Sequence, residues 1–306
     1  MTITSVPGVL AGHWTGAHTG VTVVLTPAGA RGAVVVPGSA PGSRELAALS
    51  PHHLAGGVHG VCLAGGSAFG LAAADGVMAV LAERGHGFPT PGGVVPIVPA
   101  AILYDLDSPT GSSVRPGANE GRLAAEAAGT GPLAVGRVGA GRGATVGRAS
   151  GAPVPGWLGS AAVRVDGFTV GAVVAVNAVG SVLDPSTGAW IAGGPLDDAE
   201  MPELASGWRM HTTLAVVATD APLDRAQAHV LAQMAVAGLA RCIRPAFTPF
   251  DGDIVFALAT GTGGPVDASG LLRLGEAGSR AVERAIQGGV AVPKGRARSA
   301  SGRDGP

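Results

Sequence analysis

Charge is scarce in this sequence, and so are aromatic rings and cysteine. Charged side chains make up 13% of the 306 residues and aromatic ones 4%, and the formal net charge is −1. That balance leaves no basic footprint for nucleic acid or for an anionic membrane. The two cysteines, Cys62 and Cys242, are isolated, so neither a disulfide framework nor a zinc site is expected. The histidines are scattered and form no helical metal pair, so no metal and no cofactor is predicted. Long hydrophobic runs are missing too. Gly171 to Leu183 is too short to span a bilayer, and Asp75 interrupts Val61 to Leu81. The N-terminus lacks the basic and apolar regions of a signal peptide, which predicts a cytoplasmic protein.

What the chain has in quantity is small and apolar residues. Hydrophobic residues reach 46%, enough for a sizeable core. With so few charges, the surface is expected either to consist largely of Gly, Ala, Ser and Thr or to be covered by other subunits, and a homo-oligomer is the expectation. Short β-branched runs recur at 20–26, 33–37, 59–64, 168–176, 212–219 and 253–260. Their continuous apolarity suits strands buried on both faces. Helical periodicity lies between them. One helix is expected after Ser67, read as its N-cap, through Leu71, Ala74, Met78 and Leu81 to a stop at Gly85. A second is expected over 222–243 and a third over about 271–287. Strands alternating with helices predict a single α/β domain. The Gly/Ser-rich basic end, 293–306, reads as a disordered tail.

The stretch from Asp184 to His211 has no sustained period and abuts the apolar run that starts at Thr212. Loops longer than about 12–15 residues are usually functional or disordered. Here the loop is either a surface excursion or the device that delivers a hydroxyl to a strand end. Three further motifs are open to chemical readings. The Gly-rich stretch 139–144 is followed by loop-like sequence, not by the helix a phosphate-binding loop requires. Ser67 in GGSAFG departs from a nucleophile elbow, because Phe69 stands where the last glycine belongs. Asp251 and Asp253 flank a glycine before a strand. They are either turn residues or a pair that tunes a neighbouring group.

Several stretches taken together carry a resemblance: GVTVVL at Gly20, GSAPGSRE at Gly38, LAGGSAFGLAAADGVMAVL at Leu63, VPIVPAAILYDL at Val95, VGAVVAVNAVGSV at Val170, TTLAVVATDAPL at Thr212 and PFDGDIVFALATG at Pro249. They are collinear over almost the whole chain and resemble the DmpA-like aminopeptidases (the P1, or S58, peptidases), a family that includes the nylon-oligomer hydrolase. The resemblance implies a four-layer α/β/β/α sandwich, made as a precursor that cuts itself into two chains. It puts the cut between His211 and Thr212, giving 1–211 and 212–306, with Thr212 as the N-terminal nucleophile. It implies an oxyanion-stabilising role for Asn177 and supporting roles for Asp251 and Asp253, assembly as a tetramer of αβ units, and a small peptide or amide as substrate.

Two positions depart from the family pattern. His211 stands where relatives usually carry Asn or Gly. Arg148 replaces a Lys of nylon-hydrolase-like members, keeping electrostatic support or carboxylate binding but not proton transfer. These departures leave open an uncleaved, non-catalytic member that acts in assembly or binding. Acyl transfer through the same ester is a third alternative.

Overall fold

The computed structural model describes residues 1–50, 57–106, 114–151, 153–196 and 211–290. The expected disordered tail and residues 197–210, half of the segment from Asp184 to His211, lie outside them. Nine strands join into one continuous sheet. They are β1 (Leu10–Thr15), β2 (Gly20–Val35), β3 (Ser43–Arg44), β4 (Val58–Ala64), β5 (Ala100–Ile102), β6 (Trp157–Val165), β7 (Phe168–Val176), β8 (Leu214–Thr219) and β9 (Ile254–Ala259). Their order is β6-β7-β8-β9-β2-β4-β5-β3, with β1 paired to β2. Pairing is antiparallel except for β8 with β9 and β4 with β5.

β2 is the hinge of this sheet. Its first half pairs with β1 and β4, and its second half, Arg31–Val35, pairs with β9. The register shifts between Leu25 and Ala30, where Gly29 takes a left-handed φ of 84°. A residue without Cβ adopts that conformation at little cost, so the strand bends instead of ending. The two short strands expected over 20–26 and 33–37 are therefore one strand of 16 residues.

Alternation along the strands sorts their side chains into three apolar layers. In β8, Leu214, Val216 and Ala218 face an inner cluster with Val24, Val61 and Leu63 from the other half of the sheet. Ala215 and Val217 face outward against α3 (Arg225–Cys242) and α4 (Ala268–Gly288). On the opposite outer face, Val21, Val23 and Cys62 meet α1 (Ala73–Glu83) and α2 (Ala118–Glu126). The fold is thus mixed α/β, one large sheet with helices packed on its two outer faces. Among the described residues no helix is long and apolar enough to cross a membrane.

The helices begin where side chains satisfy their first amides. The Asp224 carboxylate accepts from Gln227 N–H at 2.8 Å and the Asp267 carboxylate from Gly270 N–H at 2.7 Å. Ser67 does not do this for α1. It lies inside a 3-10 turn, Ser67–Ala72, with φ 55°, and forms no capping bond. A second expectation also fails: the sequence after Gly139–Ala144 is not all loop, because Trp157 already belongs to β6. Trp190–Ala192, inside the segment expected to lack structure, pairs with Ser181–Leu183.

Candidate active site

Three strand ends converge because of register alone. β7 runs antiparallel to β8 with Ala175 opposite Leu214, so two residues further on Asn177 stands opposite Thr212. β8 runs parallel to β9 with Leu214 beside Ile254, which brings Thr212 beside Gly252. Main-chain bonds carry this pairing past the strands. Thr212 N–H donates to the Asn177 carbonyl at 2.7 Å, His211 N–H to the Phe250 carbonyl at 3.0 Å, and Gly252 N–H to the His211 carbonyl at 2.8 Å.

The bond between His211 and Thr212 is therefore buried and held from both sides; the two residues are 2% and 3% exposed. The Thr212 hydroxyl donates to the His211 carbonyl at 2.5 Å. That carbonyl oxygen receives two hydrogen bonds, one from the hydroxyl and one from Gly252 N–H. Gly252 has to be glycine here, since a Cβ would lie 2.8 Å from Thr212 Oγ1 and would collide with the Ala40 carbonyl.

The Asn177 side chain is fixed by main-chain partners. Its Oδ1 accepts from Thr145 N–H at 2.9 Å and its Nδ2 donates to the Tyr104 carbonyl at 3.1 Å. An amide nitrogen carries two hydrogens, so one donor remains beyond the bond to Tyr104.

Asp251 and Asp253 are both buried. Asp251 accepts from Val179 N–H at 3.2 Å and from the Thr248 hydroxyl at 2.5 Å. Asp253 accepts from Thr213 N–H at 2.5 Å and Phe247 N–H at 3.3 Å. These bonds hold the neighbours of Thr212 in place instead of gripping Thr212 itself. Burial raises the pKa of both carboxyls. Asp253, which also feels the charge of Asp251, is pushed up to about 7. A carboxyl that holds its proton up to near neutral pH is a usable store for proton transfer.

Arg148 sits in a 3-10 turn stitched to the segment after Asn177, with Gly147 N–H to the Gly180 carbonyl and Ala149 N–H to the Val179 carbonyl, both 2.9 Å. It lines a cavity of about 320 Å³ together with Tyr104, Asp105 and Thr145. Among the described residues no group of three or more His, Cys, Asp or Glu is placed to hold a metal ion. Sequence reasoning overlooked Gly252, Tyr104, Thr145 and Thr248. The first three act through main-chain atoms, which leave no side-chain signature. Thr248 alone has a local signal, as a hydroxyl three residues before an Asp.

Solved structures share this mixed α/β architecture. A β-aminopeptidase from a Burkholderia species superposes with a TM-score of 0.71 at 28% identity, covering 94% of this chain and 85% of that one. The L-aminopeptidase D-Ala-esterase/amidase of Ochrobactrum anthropi, described as a variant of the Ntn-hydrolase fold, gives 0.71 at 20% identity over 93% and 84%. At the sequence level, residues 1–305 match the model of peptidase family S58. The chain belongs to that family and is an amide-bond hydrolase. An uncharacterized aminopeptidase of Mycobacterium leprae is 44% identical over 85% of this chain and 78% of its own. A 6-aminohexanoate-oligomer endohydrolase of a Kocuria species is 31% identical over 83% and 73%.

Proposed function

We propose that this hydrolase is an N-terminal-threonine enzyme that makes its own nucleophile by cutting the His211–Thr212 bond. One observation carries the reading: the Thr212 hydroxyl lies on the carbonyl of the bond to be cut, and Gly252 N–H already donates to the oxygen that would become an oxyanion. In the first step Thr212 Oγ1 bonds to the His211 carbonyl carbon. The C–N bond then breaks, and the hydroxyl proton ends on the departing Thr212 nitrogen. Water next hydrolyses the ester, leaving a His211 carboxylate, a free threonine hydroxyl and a free α-amine. A preorganised donor at such an oxyanion contributes about 3–4 kcal/mol.

In turnover the α-amine acts as the base. Its ordinary pKa of about 7.7–8.0 leaves a useful neutral fraction near physiological pH. The Asn177 carbonyl, which holds Thr212 nitrogen at 2.7 Å, would keep that amine in register. The remaining Asn177 Nδ2 hydrogen is the donor offered to the substrate's oxyanion. Asp251 and Asp253 fix the flanking main chain, and Asp253 keeps a proton near neutral pH, so their role is positioning and proton storage. The substrate in this reading is the amide of an N-terminal amino acid, a small peptide or an ω-amino-acid oligomer, in keeping with the names of the relatives. The enzyme acts as a homo-oligomer. The low share of charged residues, 13% of the chain, supports that assembly.

The uncleaved, non-catalytic alternative gains nothing from membership in a family of hydrolases. Intact-mass analysis of purified protein tests the proposal directly. Two species divided at Thr212 are expected from the wild type and one full-length species from Thr212→Ala. A wild-type chain that stays whole through long incubation at neutral pH would refute it.

A further inference from the structure

Two glycine-rich motifs, 65–70 and 139–144, meet at one buried side chain, that of Asp105, which follows β5 and is 6% exposed. Its Oδ1 accepts from Gly66 N–H at 2.7 Å, which ties it to the turn after β4. Its Oδ2 rests on two glycines. A Cβ on Gly65 would collide with that oxygen and with the Thr19 hydroxyl, and one on Gly143 would come within 2.5 Å of it. Both positions have to stay bare for the carboxyl to fit. Neither motif makes a nucleophile elbow or a phosphate loop, and this seat gives both a use.

The same contacts put Asp105 between the two holders of Asn177. Tyr104, its neighbour in the chain, offers its carbonyl to Asn177 Nδ2 at 3.1 Å, and Thr145, just beyond Gly143, gives its N–H to Asn177 Oδ1 at 2.9 Å. An amide held at both ends points its remaining hydrogen in a direction set by the distance between its two holders. Asp105 belongs to one holder's segment and packs against the other's, so it acts as the spacer between them. Burying a carboxyl costs free energy that an apolar side chain would not. Burial accordingly raises the Asp105 pKa, against the pull of the Thr19 hydroxyl and Gly66 N–H. The return on that cost is a rigid shape, fixed by its bond to Gly66.

We propose that Asp105 is the positioning residue of Asn177: its carboxyl, seated on Gly65 and Gly143, sets the gap between the Tyr104 carbonyl and Thr145 N–H and so aims the free Nδ2 hydrogen. This rests on the role of Asn177 proposed above and goes further, assigning the side chain that holds the donor on line. Asp105 does not touch the reacting atoms. Self-cleavage, which relies on Gly252 N–H, should therefore survive its loss, whereas turnover, which relies on Asn177, should suffer.

The test reads the position of Asn177 without a substrate, by residue-resolved amide hydrogen exchange on the full-length Thr212→Ala chain. Thr145 N–H has Asn177 Oδ1 as its acceptor, so its exchange reports whether the amide is still held. Asp105→Ala should speed that exchange about tenfold, while Asp105→Asn, which keeps the shape, should stay near the parent. Thr213 N–H, bonded to Asp253, should not change. Ser67 N–H still reaches the Leu103 carbonyl at 3.0 Å without the carboxyl, so the turn keeps a tie in the alanine variant. Gly65→Ala drives a methyl onto the same oxygen and should speed Thr145 exchange likewise, a second route to the result if Asp105→Ala does not fold. Unchanged Thr145 exchange in the folded variants, or equal acceleration at Thr145 and Thr213, would overturn the proposal. Turnover of alanine para-nitroanilide separates it from the reading it rests on. Asp105→Ala should lower kcat about tenfold with KM little changed, and should cost little more in an Asn177→Ala background, because both changes act through one donor. Faster Thr145 exchange with full kcat would remove the oxyanion role of Asn177 alone. Unchanged exchange with a slow Asn177→Ala enzyme would remove the positioning role alone.

Discussion

Asp253 should make this protein less stable as pH rises through neutrality, the opposite of an ordinary ion-paired carboxylate. In the unfolded chain its carboxyl ionises near the usual value of about 4. In the folded chain burial and the Asp251 charge hold it up to about 7. Between those values the folded state binds more protons than the unfolded state. By linkage, stability therefore falls as pH increases across the window and levels off above it. From about pH 5 to pH 8 the loss is of order 3 kcal/mol, at 1.36 kcal/mol for each unit by which the folded pKa exceeds the lower pH. Asp253→Asn in a Thr212→Ala background isolates the effect from self-cleavage. The amide keeps the acceptor for Thr213 N–H and loses the one for Phe247 N–H. That loss costs about 1 kcal/mol at every pH and cancels in the comparison. Thermal unfolding of both proteins at the two pH values should show the asparagine variant gaining several degrees on its parent at the higher pH relative to the lower. Asp251 keeps its own raised pKa, so some slope persists. An equal difference between the two proteins at both pH values would refute the assigned proton.

Other outcomes follow from the same contacts. Gly252→Ala puts a methyl against Thr212 Oγ1 and the Ala40 carbonyl, and should leave the chain uncut as judged by denaturing gel. Asn177→Ala removes the partners of Thr145 N–H and the Tyr104 carbonyl, and kcat should drop about 10²–10³-fold, with a normal circular dichroism spectrum as the control. The pH-rate profile of kcat/KM should rise with the ionisation of an amine near pH 8, because the neutral α-amine is the proposed base. Burial pushes the Cys62 and Cys242 thiols up to about 12, so neither should react with an aromatic disulfide reagent until the protein unfolds.

The strands and helices readable from sequence are those with an unbroken signal. Phe168–Val176 is a continuous β-branched run whose bounds match the strand to the residue, and the helical stripe from Val230 to Leu239 marks α3. Turn formers mislead where the fold uses them inside an element. TPAGARG in the middle of β2 reads as a break but is a bulge, and Gly156 and Gly159 disguise the start of β6. α2 leaves little trace because it is nine residues long and mostly polar outside three small buried positions. Ser67 invites an N-cap assignment that its left-handed backbone rules out. For the site, composition and spacing offer only a loop next to a hydroxyl and a carboxylate pair inside a turn. The resemblance selects the same residues. What brings them to one point is the order β7-β8-β9, and strand order is a long-range property that no local window contains.

That strand order also settles what a cut before Thr212 could release. In the sheet, β6 and β7 come from the residues before the cut, β8 and β9 from those after it, and β2, β4, β5 and β3 from before it again. The later segment is wedged between two parts of the earlier one, with ladders on both flanks. The two pieces would be interlocked like a tenon in its mortise, and neither could leave without tearing hydrogen bonds along two strands. A chain built this way would have to fold while whole and be cut afterward, so that possession of the active amine would certify that the sheet had already closed.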